Sequence, residues 1–222
     1  MSINKRYYVA VFFILLFSFS LYSGEFKIPA IKRVNHVVQL LVKDKPFLIL
    51  GGELSNSGTS DSEIMKGIWG KLKEMNLNTV LAPVYWELIE PEQGKFDFTL
   101  VDAMIRQARE KDLHLVLLWF GTWKNSMSCY VPQWIKEDYK RFPRTLDANG
   151  KPSEIESPFC KNALDADIKA FSELMKYIKA MDEKEQTVIM IQVENEIGQL
   201  PDARDHSALA NKAFQADVPK EL

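Results

Sequence analysis

The chain has 222 residues, of which 46% are hydrophobic, and a formal net charge of -2. That is an ordinary globular composition, long enough for one large core. With no basic excess, a nucleic-acid partner is not expected.

The first two dozen residues read as a secretory signal peptide, residues 1–24, rather than as part of the fold. Lys5 and Arg6 precede a nearly unbroken apolar run over 7–19, and Ser18, Ser20, Ser23 and Gly24 supply small residues for cleavage. The apolar run is too short for a comfortable membrane span, so membrane contact is expected only through this segment. The mature chain is therefore expected to be extracytoplasmic, secreted or periplasmic. It carries two cysteines, Cys129 and Cys160. Export permits a disulfide, and both a bridge and two free thiols remain open. The cysteine spacing offers no zinc pattern and His36, His114 and His206 are scattered, so no catalytic metal or other cofactor is expected.

An entry hairpin over 25–46 comes next, with apolar runs at 37–42 and 47–50 around Lys43-Asp44-Lys45-Pro46. Its second strand runs into Gly51-Gly52-Glu53, where the glycine pair allows close backbone approach. Ser60-x-x-Glu63 fits a capping box, and Ile64, Ile68, Leu72 and Met75 are spaced for one helix face. Residues 78–84 form the next strand, ending in Tyr85-Trp86-Glu87-Leu88-Ile89-Glu90-Pro91. Val101, Met104, Ile105 and Ala108 mark a second helix. Residues 113–118 form a third strand, with Trp119-Phe120-Gly121-Thr122-Trp123-Lys124-Asn125 at its exit. A long irregular connection over 126–164 holds Pro132, Pro143, Pro152, Pro158 and the Asn149-Gly150 turn signal, and a connection of that length is usually functional. Ile168, Phe171, Met175 and Ile178 define a third helix. The β-branched run Thr187-Val188-Ile189-Met190-Ile191 is a buried strand. An Ala-rich helix begins near Asp205 or Ser207.

Strand and helix alternate, which implies right-handed crossovers and a parallel sheet. Polar and aromatic residues collect at the strand exits while the entries are plain. That one-sidedness predicts an α/β fold of the (β/α)8 TIM-barrel type with its site at the exits. The fourth exit reads Gln192-Val193-Glu194-Asn195-Glu196. Carboxylates at the end of a buried strand are costly without partners or a reason. An Asn-Glu pair there suits glycoside chemistry, with the Glu protonating the leaving oxygen and the amide holding a sugar hydroxyl. The same acids also suit capping of a following helix. Strand alternation puts Glu194 and Glu196 on one side, so periodicity does not choose between them.

Several strings resemble the β-galactosidases of glycoside hydrolase family 35, to which family 42 is a near relative. They are Gly51-Gly52-Glu53, Glu90-Pro91-x-x-Gly94-x-Phe96-Asp97-Phe98, Pro132-x-Trp134 and Gln192-Val193-Glu194-Asn195-Glu196-x-Gly198. The resemblance runs from about Val34 to the end of the chain. It implies a retaining glycosidase with a carbohydrate substrate, Glu196 as acid/base and Asn195 as the amide beside it. Glu194 matches a non-catalytic position of the motif. Two segments differ from the family pattern: Pro83-Val84-Tyr85 stands where a tyrosine is usual before Trp86, and residues 119–123 replace a galactose-contacting Cys-Ala-Glu-Trp segment. The resemblance further implies that apolar surroundings keep Glu196 protonated, with a pKa raised to about 6.

Among the aromatic residues, Trp123 is expected to stack on a sugar face, Trp86 fits stacking and packing equally, and Trp119 and Trp69 are expected to pack. Tyr85 is a further substrate-binding candidate. Glu53 is expected to accept a sugar hydroxyl, and Glu90 to act as a structural hydrogen-bond acceptor. Residues 47–222 supply four strand-helix units of the eight in a full barrel. The expectation is thus the first half of a barrel, without the nucleophile of the seventh strand and inactive alone. Its open edges invite association. A carbohydrate-binding or vestigial protein without turnover, or a barrel glycosidase of other specificity, are the alternative readings. If the signal peptide is cleaved, N-terminal sequencing of exported protein will find a start between about Phe19 and Glu25; an intact Met1 on membrane-bound protein would exclude cleavage.

Overall fold

The computed structural model describes residues 28–220. The signal peptide expected over 1–24 lies outside the described residues. Three antiparallel strands come first: β1 (Ala30–Val34), β2 (Val37–Val42) and β3 (Lys45–Pro46), paired in that order. Two-residue turns join them, and Asn35, His36, Lys43 and Asp44 all take positive φ. Turns of that kind match the right-handed twist of the strands they connect. The expected hairpin differs from this sheet in two ways. The sequence reading did not include β1, and residues 47–50 do not continue β3. The backbone of 48–50 is bound instead by Asn78, whose side chain accepts from Leu50 N at 2.9 Å and donates to Leu48 O at 2.8 Å.

A four-stranded parallel sheet follows, in the order β4 (Gly51–Glu53), β5 (Thr79–Tyr85), β6 (His114–Phe120) and β9 (Val188–Val193). Neighbours in sequence are neighbours in space, as a growing barrel wall requires. The helices α1 (Ser62–Glu74), α3 (Thr99–Glu110) and α5 (Lys161–Asp182) make the crossovers. A short helix, α2 (Trp86–Ile89), leaves the end of β5. Between β6 and α5 the connection carries α4 (Gln133–Lys136) and a hairpin of β7 (Arg144–Leu146) with β8 (Pro152–Glu156). The last helix is α6 (Ala208–Phe214), capped by Ser207, where the sequence placed its start.

The central strands β5 and β6 are buried on both faces, and their alternation sorts the side chains into two layers. The edge strands β4 and β9 are partly exposed, and β9, expected to be buried, leaves Met190 and Val193 open. Val80, Ala82 and Val84 of β5, with Leu115, Leu117 and Trp119 of β6, pack against Met65, Trp69, Met104, Ile105, Ala170 and Leu174 of the helices. Tyr85, Val116, Leu118 and Phe120 face the other way and form a second cluster with Val42 and Ile189. β2 therefore helps cover the concave side of the sheet.

Two helix faces are rotated from the expected stripes. The N-cap of α1 is Asp61, which accepts from Glu63 N at 2.7 Å and Ile64 N at 3.0 Å, in place of the expected Ser60 box. Met65 and Trp69 turn inward, while Ile64 and Met75 are exposed. In α5 the buried positions are Ala163, Asp167, Ala170, Leu174, Ile178 and Asp182, and Ile168 is exposed. A one-residue error rotates a helix face by about 100°. The apolar count did not resolve it, because the inner face of α5 carries an acid. α3 buries Val101, Met104, Ile105 and Ala108 as expected.

The entry to β9 is held by Asp182, whose carboxylate accepts from Arg109 Nη2 at 2.6 Å and from Val188 N at 2.7 Å. Asp182 is buried, so removing it leaves a backbone N–H and a guanidinium without their acceptor. Asp182→Ala is expected to lower stability by roughly 2–4 kcal/mol, below the value for a fully buried pair because Arg109 is partly exposed. Chemical denaturation of the two proteins measures it.

Candidate active site at the strand exits

The exits of β6 and β9 are tied together by a compact set of hydrogen bonds. Gly121-Thr122-Trp123 follows β6, and Glu194-Asn195-Glu196 follows β9. Glu194 turns inward: its carboxylate accepts from Thr122 N at 3.0 Å and from Trp123 N at 2.7 Å. Asp167 reaches the same place from α5. It accepts from Trp119 Nε1 at 2.9 Å and from Thr122 N at 2.8 Å, and the Thr122 hydroxyl donates to it as well. Thr122 N–H is thus shared by two carboxyl groups. Burial first, and then the hydrogen bond and charge of Asp167, push the Glu194 carboxyl up to about 9.

The rest of the exit is held by backbone. Asn195 N donates to Trp123 O at 3.3 Å, and Ser126 N donates to Glu196 O at 3.0 Å. Glu194 and Glu196 both have positive φ, 60° and 50°, and Asn125 and Ser126 opposite them do too. Non-glycine residues in that region cost energy and persist only where the surroundings over-determine them. The strand ends at Val193, so the alternation that put both acids on one side does not reach them. Glu194 is drawn into the structure, while the Glu196 side chain is exposed. The dry surroundings expected around Glu196 are absent among the described residues, and the burial has gone to Glu194. Asn195 Oδ1 accepts from Lys124 Nζ at 2.7 Å, and Lys124, itself buried, lies over the Phe120 ring at 4.7 Å.

The other candidates divide into mouth and scaffold. Glu53 is exposed at the end of β4. Trp123 is half-buried and borders a cavity of about 410 Å³ shared with Phe159, Ile197 and Phe214. Tyr85 is 5% exposed, with its hydroxyl accepting from Thr59 Oγ1 at 3.0 Å. Trp86 offers no free face: it is fully buried, and its indole N–H donates to Glu90 Oε2 at 2.9 Å. Its place is core, between Trp119 and Trp134. Trp119 and Trp69 are also fully packed.

Glu90 is a structural acceptor. Its carboxylate also takes Gly94 N at 2.7 Å, and its carbonyl takes Trp134 Nε1 at 3.1 Å. The Glu90-Pro91-x-x-Gly94 and Pro132-x-Trp134 strings therefore meet in one joint behind the mouth. Cys129 is exposed and Cys160 buried, and both are free thiols. Asp167 is the site residue that sequence reasoning missed. Its only signal was an acid one position off the predicted helix stripe. Among the described residues, no three His, Cys, Asp or Glu side chains converge as metal ligands would.

This parallel sheet with crossover helices matches solved barrel glycosidases. One is a catalytic mutant of Gan42B, a family 42 β-galactosidase from G. stearothermophilus, with a TM-score of 0.56 and 19% identity over 75% of this chain and 23% of that one. Another is the exo-β-1,4-mannosidase Op5Man5 from Opitutaceae bacterium strain TAV5, with a TM-score of 0.51 and 16% identity over 70% of this chain and 26% of that one. The fold is that of part of an α/β barrel.

The model of glycoside hydrolase family 42, described as β-galactosidase, matches residues 56–220, and the chain belongs to that family. Curated relatives include human β-galactosidase-1-like protein 3, 28% identical over 76% of this chain and 24% of its own length. β-Galactosidase of Xanthomonas manihotis is 25% identical over 78% of this chain and 27% of its own. β-Galactosidase 13 of Arabidopsis thaliana is 28% identical over 85% and 22%. The chain thus spans about a quarter of the length of these relatives.

Gly121 has no room for a side chain. A Cβ there would lie 2.3 Å from Trp119 Nε1, 2.6 Å from Glu194 Oε1 and 2.7 Å from Asp167 Oδ2. Gly121→Ala is expected to cost about 1–3 kcal/mol as the exits are forced apart. A shift of the denaturation midpoint reads it, and an unchanged midpoint would mean that the joint is loose.

Proposed function

We propose that this chain belongs to an exported retaining β-galactosidase, with Glu196 as general acid and base. The observation that carries the reading is the different fate of the two acids at the β9 exit. Glu194 spends its carboxylate on the backbone of Thr122 and Trp123, while Glu196, after Asn195, projects free at the mouth. A general acid has to reach a glycosidic oxygen, and a carboxyl bound into the scaffold does not. Glu196 protonates that oxygen as the bond breaks. A second carboxylate about 5 Å away then takes the sugar as a glycosyl-enzyme, and Glu196 returns as base to activate water. Asn195, oriented by Lys124, is placed to hold a hydroxyl of the bound sugar. Glu53 and Trp123 border the same face. β-Galactosides are the proposed substrates because the matched family and the curated relatives carry that name.

In the complete gene product, Glu196→Gln is expected to lower kcat/KM by about 10²–10⁴-fold on galactosides with poor leaving groups. Activated aryl galactosides need less protonation and lose less. Glu194→Gln should act mainly through stability and affect both substrates alike. Steady-state kinetics on the two substrate types decides it: a leaving-group dependence that follows residue 194 in place of 196 would reverse the assignment.

A further inference from the structure

We propose that Asp167 and Glu194 hold one proton between them, and that this carboxyl pair is the positioning device for the Asn195-Glu196 exit. The inference rests on the reading of Glu196 as the general acid, but the pair can be tested without it.

Three observations place the pair. The Cβ that Gly121 lacks would touch Glu194 Oε1 and Asp167 Oδ2 at once, so the glycine is what lets the carboxyls meet. Thr122 N–H donates to both, at 3.0 Å and 2.8 Å. Trp119 Nε1 donates to the outer oxygen of Asp167, Oδ1, and Trp123 N to that of Glu194, Oε2, while Thr122 Oγ1 donates to Asp167 Oδ2. Two ionised carboxylates in contact would repel, and no cation is bonded to either among the described residues. The Lys124 ammonium is bound to Asn195 on the β6 side, and the Cys160 thiol, at the start of α5, lines the same small cavity as the pair. Neither supplies the proton bond that brings the acids together. A carboxyl shared with a carboxylate does, as in other carboxyl dyads.

The pair also explains the path of the chain. α5, β6 and β9 reach one point through Asp167, Thr122 and Glu194. The two residues after Glu194 are then fixed by Trp123 O and Ser126 N. Glu196 itself has little packing to hold it, so the joint beneath sets where its carboxyl stands.

The sign of the pH effect follows from the bound proton. The Glu194 carboxyl keeps its proton up to about 9 in the folded chain and releases it from 4.5 upward when unfolded. Between those values the folded state holds the extra proton, so this group makes stability fall as pH rises; above about 9 the effect is spent.

The test uses the complete gene product and the variants Asp167→Asn, Asp167→Ala and Glu194→Gln. Infrared difference spectroscopy follows the protonated-carboxyl band with pH. In the wild type the band should persist past neutrality and vanish near pH 9. In Asp167→Asn its midpoint should fall by a pH unit or more, with a shallower decline of Tm between pH 4.5 and 9, and in Glu194→Gln the band should be lost. For positioning, Asp167→Ala should lower kcat about ten- to hundredfold on a poor leaving group with KM little changed, and Asp167→Asn should restore most of it. A midpoint unchanged in Asp167→Asn would show that burial alone holds the proton and would overturn the pair. Equal kcat in wild type and Asp167→Ala, or no rescue by Asn, would overturn the positioning role. If no galactoside is turned over, the functional reading fails, while the infrared titration still decides the pair.

Discussion

The backbone N–H groups of Thr122 and Trp123 come off the end of β6 with no further strand residue to accept them. Buried donors of this kind have to be satisfied, and a carboxyl group has two oxygens that can accept them. Glu194 fills that role, and it does so by leaving the β9 ladder in a left-handed conformation. Everything at the mouth follows from this turn. Asn195 comes within reach of Lys124, Glu196 is carried past the joint into solvent, and Asp167 has to be tolerated as a second acid beside the first. Gly121 is required because the carboxyls occupy the space where a side chain would stand.

The mouth can carry this much polarity because the wall below it is uniformly apolar. β5 and β6 send alternate residues to the helices and to the concave face, and both sets are buried. Trp86, Trp119 and Trp134 form an aromatic row at the end of the helix-side layer, each indole N–H spent on an acid or carbonyl: Glu90, Asp167 and the Glu90 carbonyl. The three indoles of that row are therefore braces, whereas Trp123 stands at the edge of an open cavity.

Much of the architecture was legible in the chain. The strand-helix alternation, the apolar runs of β5 and β6, the face of α3 and the start of α6 all read out from local pattern, because burial in a parallel sheet leaves a continuous apolar signal. The faces of α1 and α5 did not. Ile64 and Ile168 look like core residues and are exposed, while Met65 and Asp167 point inward. Amphipathic counting weighs apolar residues alone, and it fails where an inner face carries a buried acid with partners from other elements. The strand β1 escaped for a similar reason: four of its five residues are exposed, so no burial pattern marks it.

By itself the sequence determined that polar groups gather at one end of the sheet, and that Asn195-Glu196 stands at the end of the fourth parallel strand. Order along the chain and the period of a strand are local properties, and local properties survive in a string of residues. Which of Glu194 and Glu196 is free was decided only by tertiary structure. Both acids follow the same apolar run and share its period, and they part because amides from β6 and a carboxyl from α5 claim one of them. Contacts between residues far apart in the chain leave no trace in the spacing of either segment.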